Sequence, residues 1–242
     1  VTGCAKGKAG SMHMSHPESG LIATSAVVAT TIPVAAGAAL AAQYNGSQQV
    51  SVVIFGDGAA EEGVFFETLN FASLKKLPLL FVCEDNELAI HSSKAERKGF
   101  HCFETLAKSF GIEYAAGDGT DAAEVFLKTG DVLKRMKESG RPGLLHFKYF
   151  RFLEHVGPLE DFDKGYRSKP DQLNQKLDPL ARLKQKCLAA GMTETKLKEI
   201  ESAHLSRIEK AVKLAKAAPF PQADELFNDI LAPTQKEVRT WQ

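Results

Sequence analysis

A chain of 242 residues with 44% apolar side chains holds enough hydrophobic material for one large α/β core and a helical extension. Its 30 basic and 30 acidic side chains cancel, so no net field favours nucleic acid or an anionic membrane, and neither is expected as a partner. Cys4, Cys83, Cys102 and Cys187 are widely spaced without a CxxC pair, which argues against a disulfide framework or thiolate zinc site and predicts reduced thiols in an intracellular protein.

Residues 1–20 are rich in glycine, lysine and histidine and read as an irregular loop. His13 and His16 stand three apart, a spacing that suits a shared metal only on a helix, and the flanking glycines and serines argue against one. Residues 21–42 contain no charge over 22 positions, long enough to cross a bilayer. They are dominated by Ala, Thr, Ser and Gly and interrupted by Pro33, so a buried or subunit-facing segment is expected instead. From Ile32, the run IPVAAGAALAAQY predicts a helix whose small side chains allow a neighbour to approach closely.

The chemistry is concentrated in residues 50–92. Residues 50–55 and 79–83 read as buried strands, and residues 61–76 as the helix between them, with Val64, Phe65, Leu69, Ala72 and Leu74 on its apolar side. The first strand runs into Gly56-Asp57-Gly58 and the second into Glu84-Asp85-Asn86. A right-handed crossover therefore sets Asp57 and Asn86 on one rim, at the carboxyl ends of the strands, where open α/β sheets bind ligands. Amides beside Asp57, at Gly58 and Ala59, and at the following helix start can face a phosphate. A carboxylate and an amide oxygen beside them suit magnesium, which takes a few oxygen ligands and completes its shell with phosphate and water. Gly-Asp-Gly alone also fits an ordinary turn. A dinucleotide-binding Rossmann turn does not fit, because GDGAAEEG places its third glycine two positions late.

Further on, a polar loop leads to a predicted helix over 103–110 ended by Gly111, a strand over 112–116, a helix capped by Asp121 and running to about 138, and a strand over 144–150. Alternating strands and helices predict an α/β fold, with a mainly parallel sheet covered by helices on both faces. Residues 151–170 follow as a mobile loop carrying Arg151, Glu154, His155, Tyr166 and Arg167. C-terminal helices are predicted over 178–190 and 194–217, the latter burying or half-burying Leu197, Ile200, His204, Ile208, Ala211 and Ala215, with a short helix over 224–231. The tail after Pro233 is expected to be loosely held or docked on a partner. The expected division is a loop segment (1–20), an α/β domain (21–172) and a helical extension (173–242).

Gly-Asp-Gly followed by Glu-Asp-Asn resembles the thiamin diphosphate motif, in which the Asp and the last Asn ligate magnesium 29 positions apart, the interval from Asp57 to Asn86. GDGAAEEGVFFETLNFASLKKLPLLFVCEDNELAIHS, with GKAGSMHM, TSAVVATTIPVAAGAALA, YFRFLEHVGP and GYRS, resembles the α subunit of the thiamin-dependent dehydrogenase component of 2-oxo acid dehydrogenase complexes, of pyruvate, branched-chain and acetoin types. The resemblance covers about residues 1–168 and implies the thiamin diphosphate-binding fold, with thiamin diphosphate and magnesium as cofactors. It implies metal ligation by Asp57, Asn86 and the Leu88 main-chain carbonyl, cofactor contact at Val28, Gly58, Ala59 and His155, and a catalytic role for His155. Ser11-Met12-His13 is placed near the active-site entrance.

It further implies a β subunit that completes an α2β2 assembly, a lipoyl-bearing acyltransferase that receives the acyl unit, a 2-oxo acid or acetoin as substrate, and a cytoplasmic or mitochondrial-matrix location. Three departures stand out. The commoner Asn is replaced by Asp85, Val156 stands where the best-known phosphorylated serine lies, and the helical segment with a Tyr-Arg pair that precedes residue 1 in the family is not part of this sequence. The first and last of these leave open a second reading, a non-catalytic paralogue that assembles with a β-like partner.

Overall fold

The computed structural model describes residues 3–171 and 176–227, and these fall into two compact units, one of residues 27–171 and 176–197 and the other of residues 3–26 and 198–227. In the first unit, α1 (Thr31–Tyr44) is the expected small-residue helix. It buries Ile32, Ala35, Ala36, Ala39 and Ala42 and lies against β1 (Ser51–Gly56). The long uncharged stretch is thus a turn followed by a core helix, and no helix among the described residues is long and apolar enough to cross a membrane.

After β1 the chain winds through a 3-10 turn (Asp57–Glu61) into α2 (Gly63–Lys75), and β2 (Leu79–Asp85) returns parallel to β1. The helix begins two residues later than predicted because the tight turn takes up Glu61. The buried stripe of α2 is Phe65, Leu69 and Ala72. Leu74, expected on that side, is exposed, because two residues beyond Ala72 the helix has turned more than half a revolution. β2 also runs two residues further than predicted, so Glu84 and Asp85 belong to the strand and only Asn86 lies past its end.

A two-stranded hairpin, β3 (Leu88–Ala89) with β4 (Ser92–Ser93), and the single-turn helix α3 (Lys94–Arg97) come next. Strands of two residues are too short to leave an alternation in the sequence, and the hairpin was not predicted. α4 (Phe103–Phe110), β5 (Glu113–Asp118), α5 (Ala122–Ser139) and β6 (Gly143–Lys148) follow close to their predicted positions. Asp121 caps α5 by accepting the Ala123 N–H at 3.1 Å, and Gly140 ends it at φ +66°.

The strand order is β1-β2-β6-β5, all parallel. Alternate side chains sort to opposite faces: Val53, Phe55, Phe81, Cys83 and Leu144 pack with α1, α2 and α4, while Leu80, Leu145 and Phe147 pack with Val132 and Met136 of α5. Helices cover both faces, as predicted. Each fully buried phenylalanine, Phe65, Phe81 and Phe103, contributes about 1.5–3 kcal/mol through apolar burial. The α5 cover stops short of β1, where Val52 and Ile54 line an apolar groove of about 630 Å³ with Phe150 and Phe152.

α6 (Pro179–Ala189) starts on Asp178, and α7 (Glu194–Ala217) has the predicted bounds. Its apolar side is not packed as expected: Ile200 and Ile208 are 42% and 59% exposed, and His204 is exposed. Helical periodicity identifies a side that can be buried, not what will cover it. The last predicted helix is a 3-10 turn, Ala223–Phe227; residues 228–231 and the tail after Pro233 lie outside the described residues. All four cysteines are free thiols.

Candidate metal and cofactor site

Asp57 follows directly on β1 and Asn86 directly on β2, and pairing of Gly56 with Glu84 brings both to the same rim. The contact is direct: the Asp57 carboxylate accepts the Asn86 main-chain N–H at 3.3 Å. Asp57 is only 3% exposed, and burial pushes its carboxyl above the ordinary range in spite of an opposing hydrogen bond from Arg97. That guanidinium donates to the second carboxylate oxygen and also pairs with Glu61. A buried carboxylate needs a cation beside it, and Arg97 fills that need.

The turn after β2 is held as tightly. The Asn86 amide donates to the Tyr149 hydroxyl at 2.7 Å, and its oxygen accepts the Leu88 N–H at 3.0 Å, which leaves that oxygen a second lone pair. Glu87 takes a left-handed conformation, φ +65°, and donates its N–H to the Asp85 carboxylate at 2.9 Å. Asp85 is fully buried. Burial alone would raise its carboxyl, but hydrogen bonds from His146 and Lys94 outweigh it and hold the group well below the usual carboxylate range.

Among the described residues no three His, Cys, Asp or Glu side chains gather as a metal cage. The oxygen donors on this rim are the Asp57 carboxylate, in contact with the Asn86 N–H, and the Asn86 amide oxygen, which the Leu88 N–H leaves with a second lone pair. A carboxylate and an amide oxygen are hard donors of the kind that magnesium takes. Gly58 lies in the 3-10 turn with Ala59. A Cβ on it would come within 2.9 Å of the Ala89 Cβ, so glycine is required there by the close approach of the β3–β4 hairpin. The amides at the start of the turn lack partners within it. α2 begins only at Gly63, so its dipole sits further from Asp57 than predicted.

His155 and Val28 are not drawn into this contact. Val28 stands on the turn ahead of α1, 58% exposed, beside Ala29 at φ +64°. His155 is exposed on the loop that follows β6. That loop is knotted by Asp161, which is 2% exposed and accepts from Arg151 at 3.1 Å, from Arg167 Nε at 2.8 Å and from the Tyr166 hydroxyl. Arg151 also donates to the Ile90 carbonyl at 2.9 Å, and the Tyr166 and His91 rings lie 4.4 Å apart, so the loop is tied to the hairpin that carries Leu88. Arg97, Tyr149, His146 and Asp161 were missed from sequence. Only Asp161 left a signal, an acidic residue among the basic and aromatic ones already singled out in that loop.

The family model described as the dehydrogenase E1 component matches residues 1–224. The chain is 34% identical over 231 residues to the α subunit of acetoin:2,6-dichlorophenolindophenol oxidoreductase of Cupriavidus necator, covering 94% of this chain and 68% of that one. It is 34% identical over 232 residues to the pyruvate dehydrogenase E1 component subunit alpha of Rickettsia typhi, with 95% and 70% covered. It is also 34% identical over 235 residues to the mitochondrial pyruvate dehydrogenase E1 component subunit alpha of Dictyostelium discoideum, with 95% and 60% covered. These matches bear out the resemblance carried by the motifs: the chain belongs to the dehydrogenase E1 component family, as an α subunit of a thiamin diphosphate-dependent 2-oxo acid dehydrogenase.

Proposed function

We propose that this α subunit holds the diphosphate end of thiamin diphosphate through a magnesium ion bound by Asp57, the Asn86 amide oxygen and the Leu88 carbonyl. The amides of Gly58 and Ala59 and the main chain at Val28 complete the cofactor contacts. The observation that carries the proposal is the buried Asp57 carboxylate, in contact with Asn86 and already paired with a cation. When bound, thiamin diphosphate supplies the electron sink that decarboxylation of a 2-oxo acid requires.

The chain's own part is to bind, orient and move protons. Arg97 would have to release Asp57 for a metal to be held there, and the hairpin and the Asp161 knot tie down the loop that carries His155. His155 exchanges a proton at the reacting end of the site, a role an imidazole can fill near neutral pH. A β subunit closes the site in an α2β2 assembly, and the acyl unit passes to the lipoamide of an acyltransferase, in the cytoplasm or the mitochondrial matrix.

Both pyruvate and acetoin appear in the names of the relatives, and a pocket separates ligands one methylene apart by only about 1–3 kcal/mol. Coexpression with the β subunit, followed by a panel of 2-oxo acids and acetoin, tests the proposal. It predicts turnover dependent on magnesium and thiamin diphosphate in the assembly and none from the chain alone. Normal rates without a partner, or a melting temperature indifferent to both cofactors, would contradict it.

A further inference from the structure

Directly behind the candidate ligand Asn86 lies a fully buried carboxylate, Asp85, that is not itself a candidate ligand. Three donors from three parts of the chain converge on it: His146 Nε2 on β6 at 2.6 Å, Lys94 Nζ at the start of α3, and the Glu87 main-chain N–H at 2.9 Å. His146 pairs with Cys83 across the strands, two residues before Asp85, so the two side chains point to the same face of the sheet. The imidazole is itself fixed. It packs 4.6 Å from the Phe103 ring, and the Tyr114 hydroxyl lies 3.3 Å from Nδ1. Because a carboxylate only accepts, Nε2 carries the proton toward Asp85 and Nδ1 is left to face Tyr114.

We propose that His146 is a positioning residue for the metal-ligand turn: through Asp85 it holds residues 85–88 in the shape that presents the Asn86 amide oxygen and the Leu88 carbonyl. The inference rests on the reading of Asp57, Asn86 and Leu88 as magnesium ligands. Glu87 occupies a left-handed conformation that is unfavourable for a side-chain-bearing residue, and the hydrogen bond from its N–H to Asp85 offsets that cost. Lys94 alone would be a loose anchor, since its side chain is 23% exposed. His146 fastens the same carboxylate to the sheet, and with it the two ends of the turn that flank Asn86 and Leu88. The Tyr149 N–H, donating to the Asp85 carbonyl at 3.0 Å, adds a main-chain tie from the same strand end.

The test is calorimetric titration of magnesium, at saturating thiamin diphosphate, into the chain coexpressed with its β subunit. His146→Phe keeps the ring packing and removes the donor, and His146→Gln keeps a donor. Groups that orient metal ligands commonly cost tenfold or more in affinity when removed, so His146→Phe is expected to raise the magnesium dissociation constant about tenfold. His146→Gln should stay within about threefold of wild type, with the circular dichroism of both variants unchanged. Wild-type magnesium affinity in His146→Phe, or equal losses in Phe and Gln, would overturn the proposal. If the Phe variant does not fold, His146→Asn, too short to reach Asp85, takes its place against Gln with the same two outcomes. Asp57→Ala run alongside separates the failures: a normal affinity there defeats the ligand reading itself, whereas a loss there with a normal His146→Phe defeats only the positioning role.

Discussion

Arg97 holds the Asp57 oxygen that a metal ion would need, and both groups are largely buried, so the residue is at once a stabiliser of the metal-free chain and a competitor of the metal. Replacing Arg97 by Gln leaves a buried carboxylate without its charged partner, which costs on the order of 3 kcal/mol when magnesium is absent. Thermal melts should therefore show a lower midpoint for Arg97→Gln without metal and a larger rise on adding magnesium than wild type shows; an equal rise in both would mean that guanidinium and metal do not compete. At this scale the sequence was informative about the residues at strand ends. Asp57 and Asn86 were legible because buried apolar runs fix where strands stop. Arg97 was not, because its position depends on a hairpin and a single helical turn folding back over the rim. The steric demand for glycine at Gly58 was not legible either, since it comes from Ala89.

The hairpin and the loop after β6 act as one element. Gly58→Ala places a methyl group 2.9 Å from the Ala89 Cβ, so the hairpin must move, at a cost of about 1–3 kcal/mol. A fall in melting temperature together with weaker stabilisation by magnesium is the expected result, and a wild-type melt would show that the hairpin tolerates the shift. The Asp161 knot predicts a pH dependence. Burial by itself would raise the Asp161 carboxyl, but the Arg167 hydrogen bond and the charges of Arg167 and Arg151 outweigh it and hold the group below its ordinary value. A lowered folded value means that the stabilisation is complete above the unfolded carboxylate range, near pH 3.9, and is lost as pH falls through the lower folded value. Pepsin digestion across this range should open the loop only below about pH 3.9 in wild type. Asp161→Asn should lose that dependence and, at pH 7, be cut by trypsin in the loop about tenfold faster than wild type. Identical digestion of the two proteins would remove the knot from the account. The long elements were readable from periodicity and caps, whereas the hairpin, a few hydrogen bonds long, was not.

Across the whole molecule, a parallel sheet with helices on both faces follows from the alternation of strand and helix patterns, whereas the order β1-β2-β6-β5 does not, because alternation leaves open which strands become neighbours. Cover was harder to foresee. α7 keeps an apolar side in solvent, and Val52 and Ile54 stay open on the outer face of β1, because a residue pattern states which surface wants burial and not which neighbour supplies it. An α subunit has a β subunit as its partner, and the proposed division of labour predicts that neither chain alone turns over a 2-oxo acid while the reconstituted pair does. The most direct measurement is an anomalous difference map from crystals grown with thiamin diphosphate and manganese in place of magnesium. One peak is expected, bonded to the Asp57 carboxylate, the Asn86 amide oxygen and the Leu88 carbonyl, each at roughly 2.1 Å, with Arg97 turned away from Asp57. Bound coenzyme with its metal elsewhere, and Arg97 still on Asp57, would contradict this expectation.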